Sequence, residues 1–453
     1  MRASTREGML ATPIVTMSLP VNIFITAMVT KGFQLSKPAI GSLTSLPFVC
    51  NFLQVFYSPF VARLSVKPTA IALAAAHTAC WAWLGWKLSS LPLHDPVAVS
   101  RLLLPWFFVS SLFNASLAVA WNGWMHDLVP SRLRGRYFSQ RNRYCQGATL
   151  AFVLLTGTLL ARFDYSVRIF QIIIGVSCLC RVVSLYYFSR MPGVRPSARP
   201  AVVAQRPLGE QIRIVSRARS LLLFIAFGAI WSFAANSFGP FYHVFMFEEL
   251  GLSGTQVGML ATLSALGGVL SLPVWGQLLD RYGNKAVMAV ALGAWQVQNL
   301  LWCMITPRNS SLLYGMWLYG GCVSAGFILG QFTIVLKLIP PEAKNLALGL
   351  NLACISAVAA VSPIIGGEIL QWGLDQGYAS LTVYHAVFVV QPVAALIGCL
   401  LLIRLREPAA SELSTVVGAM RNLRTLSGVM GLSFFVNYLF VKPPVRKSRR
   451  RSK

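Results

Sequence analysis

Runs of about 20 apolar residues with few charges recur along the whole chain of 453 residues, and we count twelve of them. A helix rises about 1.5 Å per residue, so each run is long enough to cross the roughly 30 Å hydrocarbon core of a bilayer. Only 11% of the residues are charged, whereas a soluble domain carries roughly a quarter. These features predict an all-α, polytopic membrane protein with twelve transmembrane helices and exclude a soluble or disordered chain. The predicted spans are 9–30, 39–62, 68–88, 102–125, 144–162, 168–189, 220–246, 255–279, 286–306, 311–336, 346–371 and 380–403.

The net charge of +26 comes mostly from basic residues in alternate loops between these spans. If the N-terminus is cytoplasmic, most of the 39 lysines and arginines fall in cytoplasmic segments. The positive-inside rule then predicts that both termini are cytoplasmic, and the compact loops favour a bacterial inner (plasma) membrane. A nucleic-acid binder would gather its basic residues on one folded polar face, so no nucleic-acid partner is expected.

The chain contains two halves that match in sequence. Leu35-Ser36-x4-Gly41-x-Leu43-x2-Leu46, at span 2, matches Leu252-Ser253-x4-Gly258-x-Leu260-x2-Leu263 at span 8. Leu128-Val129-Pro130 before span 5 likewise matches Leu338-Ile339-Pro340 before span 11. Two matches at corresponding places predict a tandem repeat of six helices. The predicted parts are an N-terminal six-helix bundle (1–189), a cytoplasmic basic linker (190–219), a C-terminal six-helix bundle (220–403) and a basic cytoplasmic tail (404–453).

The tail carries one further apolar run, Thr425–Val441, with basic residues on both sides. This run would reach only about 25 Å as a helix, which is too short to span the bilayer core. We expect an interfacial helix whose basic end lies at anionic lipid. The alternative is a basic tail whose apolar part packs on the bundle.

The loop between spans 8 and 9 carries the sequence Gly276-Gln-Leu278-Leu-Asp280-Arg281-Tyr-Gly283-Asn-Lys285. Gly276 permits a close helix contact, Asp280 can cap a helix and pair with a cation, and Gly283 allows a tight turn. The two basic residues hold the loop on the cytoplasmic side. The segment resembles the loop signature G-x-L-x-D-R-x-G-x-K of the major facilitator superfamily, and the resemblance covers spans 1–12, roughly residues 9–403.

Membership of that family implies two pseudo-symmetric six-helix bundles that enclose a substrate site at the membrane midplane and rock about it. The first-half copy of the loop, Ser58–Lys67, departs from the pattern because it lacks the acid and both glycines. Span 5 lacks the Gly-Pro-rich signature of drug–proton antiporters. The predicted spans 1, 4, 7 and 10 contain no Asp or Glu. These departures argue against drug efflux and against simple carboxylate-mediated proton coupling.

Uncharged polar side chains near the middle of the cavity-lining spans are the candidate substrate contacts. In this family the cavity lies between spans 1, 4, 7 and 10, and amide groups at that depth suit a polar or amphipathic organic solute. The alternative is that each amide only bonds a neighbouring helix, which contributes about 0.6 kcal/mol on average. The candidates are Asn22, Asn51, Asn114, Asn236 and Tyr319.

The family's geometry also implies an inner gate, with span 8 beside span 5 and span 2 beside span 11 on the cytoplasmic side. Asp280 would then face Arg141 and Arg143 at the start of span 5. A weaker counterpart would pair Arg63 with Glu342. The predicted gating residues are Gly276, Asp280, Arg281, Gly283, Lys285, Arg141, Arg143, Arg63 and Glu342.

Two charged residues inside the predicted spans are candidates for ion coupling. Arg181, in span 6, is either functional or a side chain that snorkels to the inner leaflet. Glu368, at the outer end of span 11, is either an outer-gate or proton site or a solvated helix end.

The function predicted from these features is secondary transport of a small organic solute by alternating access. The alternative is a non-transporting receptor or a membrane-embedded enzyme built on the same bundle. The sequence shows no metal-ligand cluster, nucleotide-binding loop or nucleophile constellation, so no cofactor, metal or enzymatic activity is expected. We expect the chain to act as a monomer whose partners are the solute and the bilayer.

Overall fold

A computed structural model describes residues 2–61, 64–92, 95–193, 207–405, 407 and 416. Its described elements are all helical. Short 3-10 turns cover Leu88–Ser90, Trp302–Met304, Pro307–Asn309 and Pro341–Ala343, and Met28–Gly32 is a π-helical turn. The α-helices are α1 (Arg2–Met17), α2 (Ile23–Ala27), α3 (Lys37–Val61), α4 (Val66–Lys87), α5 (Pro96–Leu128), α6 (Ser131–Arg162), α7 (Val167–Arg190), α8 (Leu208–Arg217), α9 (Arg219–Ser237), α10 (Gly239–Glu248), α11 (Gly254–Tyr282), α12 (Asn284–Leu301), α13 (Leu312–Leu338), α14 (Lys344–Asp375), α15 (Ser380–Phe388) and α16 (Val390–Arg404).

The predicted fold class is confirmed. Ten helical stretches in the described part of the chain are long and apolar enough to cross a membrane. The other two predicted spans are α4 and the broken pair α1–α2, whose second part is the shorter apolar stretch Ile23–Gly32. The tail helix predicted at 425–441 and residues 194–206 of the predicted linker lie outside the described residues.

Two span boundaries are corrected by the structure. Span 1 begins at Arg2 rather than at residue 9, and the helix that follows α9 runs to Glu248. The helices of these two spans therefore extend beyond the predicted bounds, and each extension carries an acid, Glu7 in α1 and Glu248 at the end of α10. An apolar run marks the lipid-facing stretch of a helix, but a helix continues for as long as its backbone is hydrogen-bonded.

Span 1 is also interrupted between Met17 and Ile23. Pro20 has no backbone N–H to donate, so it interrupts the helical hydrogen bonding at this point. Asn22 starts the next segment as the N-cap of α2, where its side chain accepts a hydrogen bond from the backbone N–H of Ile25 at 2.9 Å. The break therefore has a defined local cause.

The two matching halves have matching backbone hydrogen bonds. The N–H of Phe33 donates to the carbonyl of Met28, and the N–H of Leu35 donates to that of Val29. The corresponding pairs in the second half are Leu250 with Phe245 and Leu252 with Met246. The second sequence match shows the same agreement. The N–H of Leu133 donates to the carbonyl of Pro130, and the N–H of Ala343 donates to that of Pro340. Equal sequence therefore forms equal local structure in both halves.

The first six spans (the N-half, α1–α7) contact the last six (the C-half, α9–α16) mainly through α3 with α14 and α6 with α11. Here the helix backbones approach closely. A Cβ added at Gly41 would overlap the carbonyl oxygen of Pro363, and one added at Gly157 would overlap that of Gly254. Small residues allow such approach between membrane helices.

The two ends of the bundle are packed differently. We call the end with Lys37, Arg162 and Gly254 the closed end, and the end with Arg190 and Tyr282 the basic end. At the closed end one continuous apolar core joins both halves and includes Phe24, Trp81, Phe245 and Tyr384. At the basic end each half has its own apolar clusters, such as that of Trp124 and Phe188 in the N-half and that of Phe227 and Ile334 in the C-half. Among the described residues, the halves therefore share one apolar core at the closed end and have separate apolar clusters at the basic end.

Candidate functional site

A cavity of about 500 Å³ lies in the N-half between α1, α5, α6 and α7. Its wall includes the polar side chains of Thr12, Asn114 and Gln146 together with the ring of Trp121. Asn122, which also lines it, is exposed like Gln146, so the cavity opens at the surface of the protein. Its volume lies within the roughly 300–1,000 Å³ of sites for small organic ligands.

A cluster of three charged side chains, Glu7, Arg141 and Arg181, forms one wall of this cavity. One carboxylate oxygen of Glu7 accepts a hydrogen bond from Nη1 of Arg181 at 3.0 Å, and the other accepts from Nη2 of Arg141 at 3.3 Å. The side chains are 3% exposed for Glu7, 2% for Arg181 and 13% for Arg141. The cluster is thus a buried charge network, and it links α1, α6 and α7.

The surroundings hold both guanidinium groups in place. Arg141 lies over the ring of Trp121, 4.5 Å from its centroid, and Arg181 lies over that of Phe188 at 5.3 Å. Nη1 of Arg181 also donates to the hydroxyl of Ser184 at 3.0 Å. A cation over an aromatic face is favoured by about 0.5–2 kcal/mol. Arg181 therefore faces its partners inside the N-half, and the snorkelling alternative does not describe it.

Sequence reasoning missed Glu7 because the first apolar run begins after it, at residue 9. One signal could have found it. Glu7 is the first acid in the chain, and it lies at helical spacing before Ala11, Ile14 and Ser18, which are all buried. A helix continued backward from the apolar run therefore places Glu7 on its buried face.

The predicted substrate contacts are placed in different surroundings. Asn114 is half-buried and lines the N-half cavity. Asn236 donates to the carbonyl of Ser232, and the hydroxyl of Tyr319 donates to that of Ala294. Asn51 is half-buried on α3, away from the described lining of this cavity. Asn114 is thus the one among them that the structure places beside the charge cluster.

Asn22 is 7% exposed, and its amide donates to the backbone carbonyls of Met17 and Leu19 and accepts from the N–H of Ile25. Replacing Asn22 with alanine removes the N-cap of α2, which we expect to cost about 0.5–2 kcal/mol of unfolding free energy. Asn114→Ala removes no hydrogen bond between described residues and should leave the free energy of unfolding within about 0.5 kcal/mol. Unfolding of both variants in detergent, followed by circular dichroism, measures this difference. Equal stability of the two variants would contradict the capping role.

The loop between α11 and α12 is only partly as predicted. Gly283 has a φ of +86°, which confirms the tight turn. A Cβ added at Gly276 would meet no atom of the described residues within 4 Å, so this part of the structure gives no close helix contact there. The acid that caps the next helix is Glu407, whose carboxylate accepts from the backbone N–H groups of Asn284 and Lys285 at 3.2 and 2.8 Å. Asp280 is exposed instead. A cap contributed from so far along the chain leaves no local pattern.

The remaining gating and coupling candidates lie apart from one another. Arg141 bonds Glu7 in this conformation rather than Asp280. Arg143 and Arg281 lie over the neighbouring rings of Tyr144 and Tyr282. Arg63 lies outside the described residues. Glu342 and Glu368 are both exposed. The contacts of α3 with α14 and of α6 with α11 were expected on the cytoplasmic side. The close glycine contacts that join them lie at the closed end, which is the outer end in the predicted topology.

Contacts between charged and polar groups also join the halves at the closed end. Lys37 forms an ion pair with Glu248. The backbone N–H of Gly254 donates to the hydroxyl oxygen of Tyr165 at 2.9 Å, and the ring of Tyr165 lies 6.1 Å from that of Phe247. Burial raises the pKa of Tyr165 above its usual value of 10. The hydroxyl therefore stays neutral through the physiological range.

A second cavity, of about 270 Å³, lies inside the C-half. Its wall includes the rings of Trp295, Trp302 and Trp317. The side-chain amide oxygen (Oε1) of Gln298 and the indole N–H of Trp317 are buried there with no hydrogen-bond partner among the described residues. The C-half therefore offers an aromatic pocket with an unused acceptor and an unused donor.

The sequence profile of the Major Facilitator Superfamily matches residues 9–244 and again 232–449. Among individual proteins, the multi-drug resistance efflux pump PmrA of Streptococcus pneumoniae is 30% identical over 136 residues, which are 29% of this chain and 33% of the pump. Multidrug resistance protein 1 of Bacillus subtilis is 26% identical over 196 residues, 43% of this chain and 46% of that protein. The matched segments thus span less than half the length of these relatives.

Solved structures match the fold over most of the chain. The D-xylose-proton symporter superposes with a TM-score of 0.66 at 11% identity, over 90% of this chain and 98% of the symporter. The nucleoside transporter NupG gives 0.62 at 14% identity, over 89% and 99%. At such identities the likeness concerns the fold alone.

Proposed function

The chain belongs to the major facilitator superfamily, and from that premise we propose that it moves a small organic solute across the membrane by alternating access between its N-half and C-half. Its relatives include one named as a multi-drug resistance efflux pump and one named as a multidrug resistance protein. Two six-helix halves that can rock against each other around a shared cavity form the basis of this mechanism.

The observation that carries the proposal is the unequal packing of the two ends. One apolar core crosses both halves at the closed end, while the basic end keeps separate clusters in each half. A cavity reached by solvent lies in the N-half. A transporter that exposes its site to one side at a time needs a sealed end and an accessible end, and these two arrangements supply them.

The distribution of basic residues orients this state. The basic end carries Arg190, Arg217, Arg281 and Arg404, whereas fewer basic residues lie at the closed end. By the positive-inside rule the basic end is cytoplasmic. On this assignment the structure is an inward-facing state, and the protein lies in the inner membrane with its N-terminus inside.

A labelling experiment tests the orientation. Single cysteines at Ser216, beside the basic end, and at Ser310, beside the closed end, are placed in a cysteine-free variant. An impermeant thiol reagent added to intact cells should label position 310 and should label position 216 only after permeabilisation. The reverse pattern would reject the assigned orientation.

A distance measurement tests alternating access without knowledge of the solute. Ser36 in the N-half and Gln376 in the C-half are both exposed at the closed end. Spin labels at these two sites should report two populations of distance, a short one for this state and a longer one for a state open at this end. A single fixed distance in detergent, in lipid and across a panel of solutes would overturn the proposal.

A further inference from the structure

We propose that the N-half cavity binds the carboxylate of a small organic anion between Arg141 and Arg181. This inference rests on the proposed transport function and names the class of its solute. It differs from the expectation of neutral amide contacts, because the sequence alone did not place these arginines at a common cavity.

The first argument is charge balance. Glu7, Arg141 and Arg181 are the charged side chains among the described residues that line the cavity, so the lining carries one more cation than it has anions. An arginine taken out of water is costly unless an opposite charge compensates it. Glu7 supplies one negative charge, and a bound carboxylate would supply the second.

The second argument is unused hydrogen-bonding capacity. Nε of Arg181 is buried with no hydrogen-bond partner among the described residues. Nε of Arg141 donates to the backbone carbonyl of Ser4 at 3.4 Å, and its Nη2 donates to Glu7 at 3.3 Å. Both distances are long for hydrogen bonds donated by a cation. A guanidinium has five N–H donors in a planar fork that fits a carboxylate. Both arginines therefore keep donors for an anion.

The third argument is the rest of the wall. Thr12 and Asn114 add neutral polar groups beside the arginines, and Trp121 adds an aromatic surface. A cavity of about 500 Å³ has room for a ring or short chain beyond the carboxylate. The arrangement fits an amphipathic organic anion with its charged group at the arginines and its apolar part at Trp121.

Binding of benzoate to the purified full-length protein in detergent tests the proposal. Tryptophan fluorescence and unfolding temperature are followed at constant ionic strength, with benzamide as the neutral analogue of the same shape and inorganic phosphate as a second oxyanion. We expect benzoate to bind and to raise the unfolding temperature, and benzamide to bind at least about tenfold more weakly. Equal binding of benzoate and benzamide, no binding of benzoate, or binding of phosphate alone would each overturn the carboxylate site.

Arg141→Gln assigns the binding to this wall. This variant leaves Glu7 paired with Arg181, so the cavity becomes neutral and the fold keeps its buried ion pair. Benzoate should bind it at least about tenfold more weakly, with partial recovery in Arg141→Lys, which restores the charge but not the planar fork. Arg213→Gln, the same change at an exposed position of α8, should bind benzoate as the natural chain does. Unchanged binding by Arg141→Gln would overturn the proposal.

The two proposals can fail separately. Loss of the carboxylate site while the Ser36–Gln376 distance still shows two populations would leave alternating access in place and remove only the solute class. A single fixed distance together with benzoate binding at Arg141 would instead leave a binding protein that does not alternate.

Discussion

Replacement of Glu7 by glutamine is expected to lower the free energy of unfolding by about 3–5 kcal/mol, because it leaves two buried arginines without their shared counter-ion. The side chains of Glu7 and Arg181 are only 3% and 2% exposed. Water reaches too little of these two side chains to replace the carboxylate. Unfolding of the purified variant in detergent, or the folded fraction recovered by size-exclusion chromatography, measures the loss.

Two further variants make this result specific. Glu368→Gln removes an acid from an exposed position and should change stability by less than about 0.5 kcal/mol. Glu7→Gln combined with Arg181→Gln removes both members of the closest pair and should be less destabilised than the sum of the single changes, because contacting residues are not additive. Strict additivity, or a Glu7→Gln variant as stable as the natural chain, would contradict the buried network.

Replacement of Gly157 by alanine is expected to drive the protein away from the state described here. The added methyl group would overlap the carbonyl oxygen of Gly254 in the other half, and both atoms in that contact are held by helix backbone. Overpacking of this kind costs about 1–3 kcal/mol. Because the contact exists only while this end is closed, that cost corresponds to roughly a five- to 150-fold change in the ratio of the two states.

The Ser36–Gln376 distance distribution measures this change, and the long-distance population should grow at the expense of the short one. Gly147→Ala is the matched control, since it makes the same substitution on the same helix, α6, where an added Cβ meets no atom of the described residues within 4 Å. The control should keep the distribution of the natural chain. If both variants behave alike, the glycine contact does not determine closure.

The helices and the repeat could be predicted because each depends on local pattern. The length of an apolar run predicts a membrane span. Leu35 and Leu252 form corresponding backbone hydrogen bonds because the sequence around them is similar in the two halves. Gly283 was likewise predictable, since a positive φ calls for glycine.

The site could be predicted only in part, because its charged residues come from three helices far apart in the chain. Arg181 was singled out as a charge inside a span, but its partner Glu7 lay before the apolar run, and Arg141 was assigned to a gate instead. The amide of Asn22 was expected to meet solute, yet the helix break beside Pro20 uses it as a cap. Such assignments depend on which helices pack together, which no single segment specifies.

The glycine contacts of the closed end also bear on how the protein responds to ionic strength. Gly41 and Gly157 meet backbone oxygens of the opposite half, and neither partner carries a net charge that dissolved ions could screen. Among the charged contacts that cross this end in the described structure is the pair of Lys37 and Glu248, and a partly exposed pair contributes only about 0–1 kcal/mol. Close packing of uncharged backbone contributes more to the closed end than ion pairs do. The fraction of molecules closed at this end should therefore change little with the salt concentration in the cell.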